Sequence, residues 1–82
     1  MYFVYILYSK KLDKYYKGYT NDLVRRLEQH NSGSQTYTRQ GVPWKLILVL
    51  SKSTKNDALE LERKLKNLNK DKLEQFIKKY KD

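Results

Sequence analysis

The stretch Tyr2-Phe-Val-Tyr-Ile-Leu-Tyr-Ser-Lys-Lys-Leu-Asp-Lys-Tyr-Tyr-Lys-Gly-Tyr19 decides the fold. Phe3–Tyr8 is continuously apolar and aromatic, which reads as a strand covered on both faces. Lys10–Lys14 is polar and holds Asp13, which suits a turn. Tyr15–Tyr19 is rich in tyrosine, a residue that fits a pleated, half-buried surface. The two segments are therefore expected to form a hairpin. Gly18 adds no side chain to the second strand, and it marks a place where another backbone or a ligand comes close.

Beyond the hairpin the pattern turns helical. Thr20 or Asn21 is expected to cap a helix that runs to His30 or Asn31. Leu23, Leu27 and His30 share one face of it, and Arg26 borders that face. Arg25 points about 100° further round, toward solvent. Asn31–Gln35 reads as a loop leading to Tyr37-Thr-Arg39 and to Gly41-Val-Pro43. Trp44–Leu50 is the third and most hydrophobic strand, with Trp44 as a core or sheet-edge anchor, and Ser51–Asn56 is polar loop. A second helix starts near Thr54, with Asp57 in an imperfect capping box. Ala58, Leu61, Leu65 and Leu68 form its apolar stripe, widened by Leu59. Glu62 falls inside that arc, where a carboxylate is costly unless paired or metal-bound. Asp71 with Glu74 opens a third helix over residues 71–82, whose stripe is Leu73, Phe76, Ile77 and Tyr80. The order β-β-α-β-α-α predicts an α/β (α+β) domain. Its sheet is three-stranded and largely antiparallel, with helices covering at least one face.

Composition narrows the function. Eighty-two residues are expected to form one domain spanning 1–82. There is no cysteine, so disulfides, thiolate zinc sites and thiol nucleophiles are all excluded. That suits a reducing, cytoplasmic setting. The apolar runs Tyr2–Tyr8 and Leu46–Leu50 fall far short of the roughly 20 residues of a membrane span. No basic stretch precedes the first run, so neither a secretory leader nor a membrane partner is expected. The net charge is +9, from 18 Lys+Arg against 9 Asp+Glu. Such a field attracts polyanions, with nucleic acid first and an anionic membrane surface second. The charge is spread along the chain, which argues against a basic tail on a neutral body.

One histidine and no cysteine leave neither a His-based metal cluster nor a Cys–His nucleophile. The three glycines, at 18, 33 and 41, form no phosphate-cradling loop. What remains is the sparse set Tyr5, Tyr16, Arg26, His30 and Glu62. Each has a plain structural alternative. The tyrosines are sheet residues, and Arg26 is a solvated helix charge. His30 favours the C-terminal end of its helix dipole. Glu62 is a salt-bridge partner for Arg63, Lys66 or Arg26.

The order and spacing of this set resemble the GIY-YIG endonuclease family, in particular its small stand-alone bacterial members. Phe3-Val-Tyr5 stands for the first signature triplet and Tyr16-Lys-Gly18 for the second. Asn21–Asn31 is similar to the family's helix bearing an arginine and then a histidine. Pro43-Trp-Lys-Leu46 looks like the start of the third strand, and Ala58–Glu62 like the helix with the metal-binding glutamate. The resemblance covers about Tyr2 to Leu68. It implies that Glu62 binds one divalent cation, Mg²⁺ or Mn²⁺, since one carboxylate with waters and phosphate oxygens suits such an ion. It implies that Tyr5 and Tyr16 position or deprotonate the attacking water. Arg26 would stabilise charge on the scissile phosphate, and His30 would contact the phosphate or relay a proton.

The reaction implied is metal-dependent hydrolysis of phosphodiester bonds in nucleic acid, DNA before RNA, with low sequence specificity, in DNA processing or repair. Lys17, Tyr19, Thr38 and Arg39 are further candidates for contact with nucleic acid. The chain departs from the family at Phe3, where a glycine is usual, and at Lys17, where an isoleucine is usual. Asn67 and Asn69 come too soon to match the family's downstream asparagine. A non-catalytic nucleic-acid-binding module on the same fold is the alternative. A basic adaptor that docks through the last helix is a third reading.

Overall fold

The computed structural model describes residues 1–81. The central strand β1 (Tyr2–Ser9) buries Val4, Tyr5, Ile6 and Leu7 almost completely, because both of its faces are covered. β2 (Lys14–Thr20) and β3 (Trp44–Lys52) flank it in the order β2-β1-β3, and both pairings are antiparallel. The turn between β1 and β2 places Asp13 at φ 52. Asp is one of the few non-glycine residues that tolerates this region. Its carboxylate accepts from Tyr8 Oη at 2.6 Å and from Lys70 Nζ at 2.9 Å.

Alternation along β1 sends side chains to two separate cores. Val4 and Ile6 pack with Ala58 and Leu65 of α2 (Lys55–Lys66) and with Leu73 and Ile77 of α3 (Lys70–Lys81). Tyr5 and Leu7 face the other way, toward Leu23 and Leu27 of α1 (Leu23–Asn31), together with Trp44. The sheet is thus a middle layer with one helix on one side and two on the other. The register of β3 shifts between Ile6 and Leu7 of β1, with Ile47 as the unmatched residue. A single 3₁₀ turn, Arg39–Gly41, precedes β3. The lone glycine of that turn lies under the Trp44 indole, which leaves no room for a side chain there.

The expected α+β order is the observed one. The N-cap of α1 is Asp22, one or two residues later than expected. Its Oδ1 accepts from Arg25 N at 3.2 Å, while the Thr20 hydroxyl accepts from Asp22 N at 3.0 Å. Thr20 therefore supports the cap instead of forming it. Thr54 caps α2 as read, accepting from Asp57 N at 3.1 Å. α3 begins one residue earlier than expected, and Asn69 Oδ1 accepts from Lys72 N. Tyr80 leaves the apolar stripe and is half exposed, stacked on Phe76 with ring centroids 4.6 Å apart. Residue 82, the expected end of that helix, lies outside the described residues.

Candidate active site

The hairpin brings two phenols onto the α1 side of the sheet. Tyr5 pairs across the ladder with Gly18, so both point to the same face. A Cβ at Gly18 would lie 2.6 Å from Tyr5 Oη and 3.1 Å from Tyr16 Cε2. The missing side chain is therefore the space that lets the Tyr5 phenol lie over β2. The Tyr16 ring packs beside it, with its centroid 4.8 Å from that of His30 and 6.3 Å from that of Trp44.

α1 closes over these rings with two polar side chains one turn apart. Arg26 Nε donates to Tyr5 Oη at 3.4 Å, and Arg26 Nη1 donates to Gln29 Oε1 at 3.0 Å. His30 Nε2 lies 2.9 Å from Tyr5 Oη, and His30 Nδ1 lies 2.9 Å from Thr38 Oγ1. The result is a continuous bonded chain, Arg26–Tyr5–His30–Thr38. Tyr5, His30 and Thr38 are each 1% exposed, so bulk water does not compete for these bonds. The far end is fixed again, because the Thr38 carbonyl accepts from Trp44 Nε1 at 2.7 Å. Asn31 adds a clip: its Oδ1 accepts from Trp44 N at 2.6 Å, and its Nδ2 donates to Trp44 O at 3.1 Å.

Electrostatics follow from this burial. His30 is pushed down to about 4, first by burial and then by the Arg26 charge. At neutral pH its ring is neutral, so one nitrogen donates and the other accepts. Two proton arrangements satisfy the pair. In one, Tyr5 donates to Nε2 and Nδ1–H donates to Thr38. In the other, Thr38 donates to Nδ1 and Nε2–H donates to Tyr5. In both, Tyr5 Oη is the junction between guanidinium and imidazole. Burial holds the Tyr5 phenol above its ordinary value; the Arg26 bond opposes this, and the nearby Tyr16 and Glu62 add to it. Its bond to Tyr5 raises Arg26 in turn.

Arg26 is half-buried where Arg25 beside it is exposed, the division expected from the helical wheel. It borders two openings. One is a cleft of about 520 Å³ lined also by Tyr16, Lys17, Gln35, Tyr37 and Lys66. The other is a wider groove of about 890 Å³ that runs past Arg25 to Tyr19 and Lys55. Glu62 lies on α2, which packs along β2. Its charge reaches Tyr5, and its Oε1 is 3.5 Å from Lys66 Nζ, the i+4 pairing that its position in the helix allows.

The donor set bears on a metal. Among the described residues no three His, Asp or Glu side chains cluster as a ligand set. Glu62 alone, at 15% side-chain exposure, is the carboxylate near the phenols. A single carboxylate fits an ion that keeps most of its waters and takes phosphate oxygens from a substrate, as Mg²⁺ does. It does not fit a zinc site, which needs three or four protein ligands.

Of the residues singled out in the sequence, Tyr5, Tyr16, Arg26 and His30 converge, and Glu62 approaches them from α2. Two roles change. Thr38 was expected to touch nucleic acid, but it is buried and its hydroxyl holds the imidazole. His30 is buried as well, and both of its ring nitrogens are taken up by Tyr5 and Thr38 instead of facing a phosphate. Arg39 is exposed on the 3₁₀ turn and stands outside the bonded chain. Tyr19 lies on the α2 side of the sheet, packed against the Val4–Ile6 core, and also lines the wider groove. Lys17 lines the cleft. Sequence reasoning missed Gln29 and Asn31 as supports, and of the three partners it offered Glu62 the structure selects Lys66. The i+3 spacing from Arg26 and the i+4 spacing from Glu62 were the available signals for Gln29 and Lys66.

A family model described as the GIY-YIG catalytic domain matches residues 1–81. The chain belongs to the GIY-YIG family. It is 41% identical over 76 residues to UPF0213 protein RBAM_000440 of Bacillus velezensis, covering 92% of this chain and 76% of that protein. It is 40% identical over 76 residues to UPF0213 protein YazA of Bacillus subtilis, with the same coverage. The solution NMR structure of the UPF0213 protein BH0048 from Bacillus halodurans superimposes with a TM-score of 0.66 at 35% identity, covering 98% of this chain and 86% of that one. GIY-YIG membership places the chain in a nuclease family, with nucleic acid as the general class of substrate. The two departures from the GIY-YIG signature leave the phenols alone. Phe3 stays in register with Thr20 and Ser51. Lys17 follows Tyr16 in the strand alternation and so points to the opposite face from it.

Proposed function

We propose that this GIY-YIG chain is a metal-dependent endonuclease of low sequence specificity that hydrolyses phosphodiester bonds, in DNA before RNA, during DNA processing or repair. The observation that carries the reading is the buried chain Arg26–Tyr5–His30, which opens through Arg26 onto a cation-lined cleft with Glu62 close by. Arg26 receives the scissile phosphate, its charge placed where negative charge grows in the transition state. Tyr5 and Tyr16 orient the attacking water. The Tyr5 phenol is a poor base alone, since burial raises it. It works as a relay, passing its proton to His30 Nε2 as it takes one from water. A phosphate against Arg26 offsets the charge that helps hold the imidazole low, so substrate binding makes His30 a better acceptor. Glu62 would hold one Mg²⁺ or Mn²⁺, which when bound supplies charge stabilisation at the phosphate oxygens. Lys17, Lys66 and Arg26 address phosphate, which carries no sequence information, and this favours low specificity.

The Lys66–Glu62 pair favours a second reading, a binding module without catalysis, because Lys66 takes the place a cation would take. At 3.5 Å and with Lys66 half exposed, that pair is weak, on the order of 1 kcal/mol or less. A divalent ion displaces it at little cost, so the nuclease reading stands first. The experiment is nicking of supercoiled plasmid and of single-stranded DNA with Mg²⁺ or Mn²⁺, wild type against Glu62→Ala. A loss of about 100-fold or more in the variant is expected. Equal activity in both proteins would overturn the assignment. Salt-sensitive binding with no metal-dependent product would establish the second reading.

A further inference from the structure

Tyr37 is the most exposed large hydrophobic side chain among the described residues, at 93%. Its ring stands in water, free to take a partner from outside the fold. The backbone beneath it is nonetheless well anchored. The next residue, Thr38, is 1% exposed, bonded through its hydroxyl to His30 and through its carbonyl to Trp44. Thr38 N also donates to Gln35 O at 3.3 Å. The loop therefore presents the Tyr37 ring from a fixed base, on the lip of the 520 Å³ cleft that holds Tyr16 and Arg26. Lys17 and Lys66 line the same cleft, and Gln35 brings an amide to it. An aromatic face, two ammonium groups and an amide are what a single nucleotide offers partners for: a base plane, a phosphate and a base edge. The cleft, at about 520 Å³, is on the scale of one nucleotide, and a base paired in a duplex, already stacked on both faces, has no free plane to offer Tyr37.

We propose that this cleft is a subsite for one unpaired nucleotide beside the scissile phosphate, with Tyr37 stacking on its base and Lys17 and Lys66 holding its phosphate. The subsite rests on the nuclease reading above, and it names the substrate: a single-stranded, flapped or frayed segment. It makes Tyr37 a specificity-determining residue with no part in the chemistry.

The test measures binding in EDTA, so that cleavage plays no part. The probe is a short single-stranded oligothymidine carrying one 2-aminopurine, compared with a duplex of the same length. Anisotropy reports affinity, and 2-aminopurine fluorescence reports stacking. Tyr37→Ala is expected to weaken single-strand binding by roughly tenfold, to abolish the fluorescence change, and to leave duplex affinity alone. Tyr37→Phe is expected to restore both signals, because the ring and not the hydroxyl stacks. Equal single-strand affinity in wild type and Tyr37→Ala would overturn the subsite while leaving the nuclease reading intact. Equal losses on single strand and duplex would overturn it too. Absence of binding to either probe by the wild-type protein would overturn the subsite, whose contacts need no metal, and would leave the nuclease reading to the nicking assay.

Discussion

At Gly18 one methyl group separates a working arrangement from a blocked one. The added carbon of Gly18→Ala would meet Tyr5 Oη at 2.6 Å and Tyr5 Cζ at 2.8 Å. The phenol has little freedom to yield, because His30 and Arg26 hold its oxygen. The variant is expected to lose about 1–3 kcal/mol in urea denaturation and to lose the proposed nuclease activity more steeply than its fold. His30 makes a prediction of its own. Its folded value of about 4 lies below the ordinary 6.5. Between those values the unfolded chain binds a proton that the folded chain refuses. Stability is therefore complete above pH 6.5, falls as pH drops toward 4, and loses nothing further to this group below that. A loss on the order of 3 kcal/mol across this window is expected in a denaturation series, and His30→Gln should flatten it. The depressed Asp13 carboxyl acts in a separate window, below the usual carboxylate range.

At the scale of elements, α3 is part of the fold and not an appendage. Its Leu73 is 1% exposed and packs against β1 residues and α2. Leu73→Ala is expected to cost about 2–4 kcal/mol, measured by thermal or urea unfolding, which is a large share of the margin of so small a domain. The apolar side of this helix is thus occupied, which speaks against its use as a free docking face. The elements themselves were legible because each had its own local signal: the aromatic run before Asp13, the Thr54 cap, the stripe through Ala58 and Leu65. The α1 cap was misplaced because Thr20, Asn21 and Asp22 are all competent caps, and only the backbone geometry chooses among them. Tyr5, Tyr16, Arg26 and His30 were legible as a set. The duty of Thr38 was not, because nothing local shows that a loop threonine eight residues past His30 turns inward to its ring. Lys66 was legible only as one of three partners for Glu62.

For the molecule as a whole, +9 on 82 residues now has a distribution. Arg26, Lys17 and Lys66 gather at the cleft, and Arg25 with Lys55 lines the wider groove. Binding to nucleic acid is expected to fall by roughly tenfold or more between about 50 and 200 mM salt, with a log–log slope set by the number of phosphates neutralised. Lys17→Gln with Lys66→Gln should make that slope shallower by about 1 to 2; an unchanged slope would place the binding surface elsewhere.

The irregularity of β3 has a reach beyond the sheet. Before it, Leu46 pairs with Leu7 and lies on the α1 side; after it, Leu48 pairs with Ile6 and lies on the α2 side. The two halves of the strand thus run in opposite phase, and Ile47 is the residue that changes it. With the bulge straightened and every residue kept in the ladder, one uninterrupted alternation would turn either Trp44 or Leu48 and Leu50 to the wrong face. If Trp44 turned, Tyr16 would lose the ring beside it and Thr38 the donor that holds its carbonyl. The surplus residue thus lets one apolar run serve both cores: taking out Ile47 itself would make Leu46 and Leu48 neighbours with their faces kept, whereas the loss of Lys45 with the bulge in place would turn Trp44 out of phase.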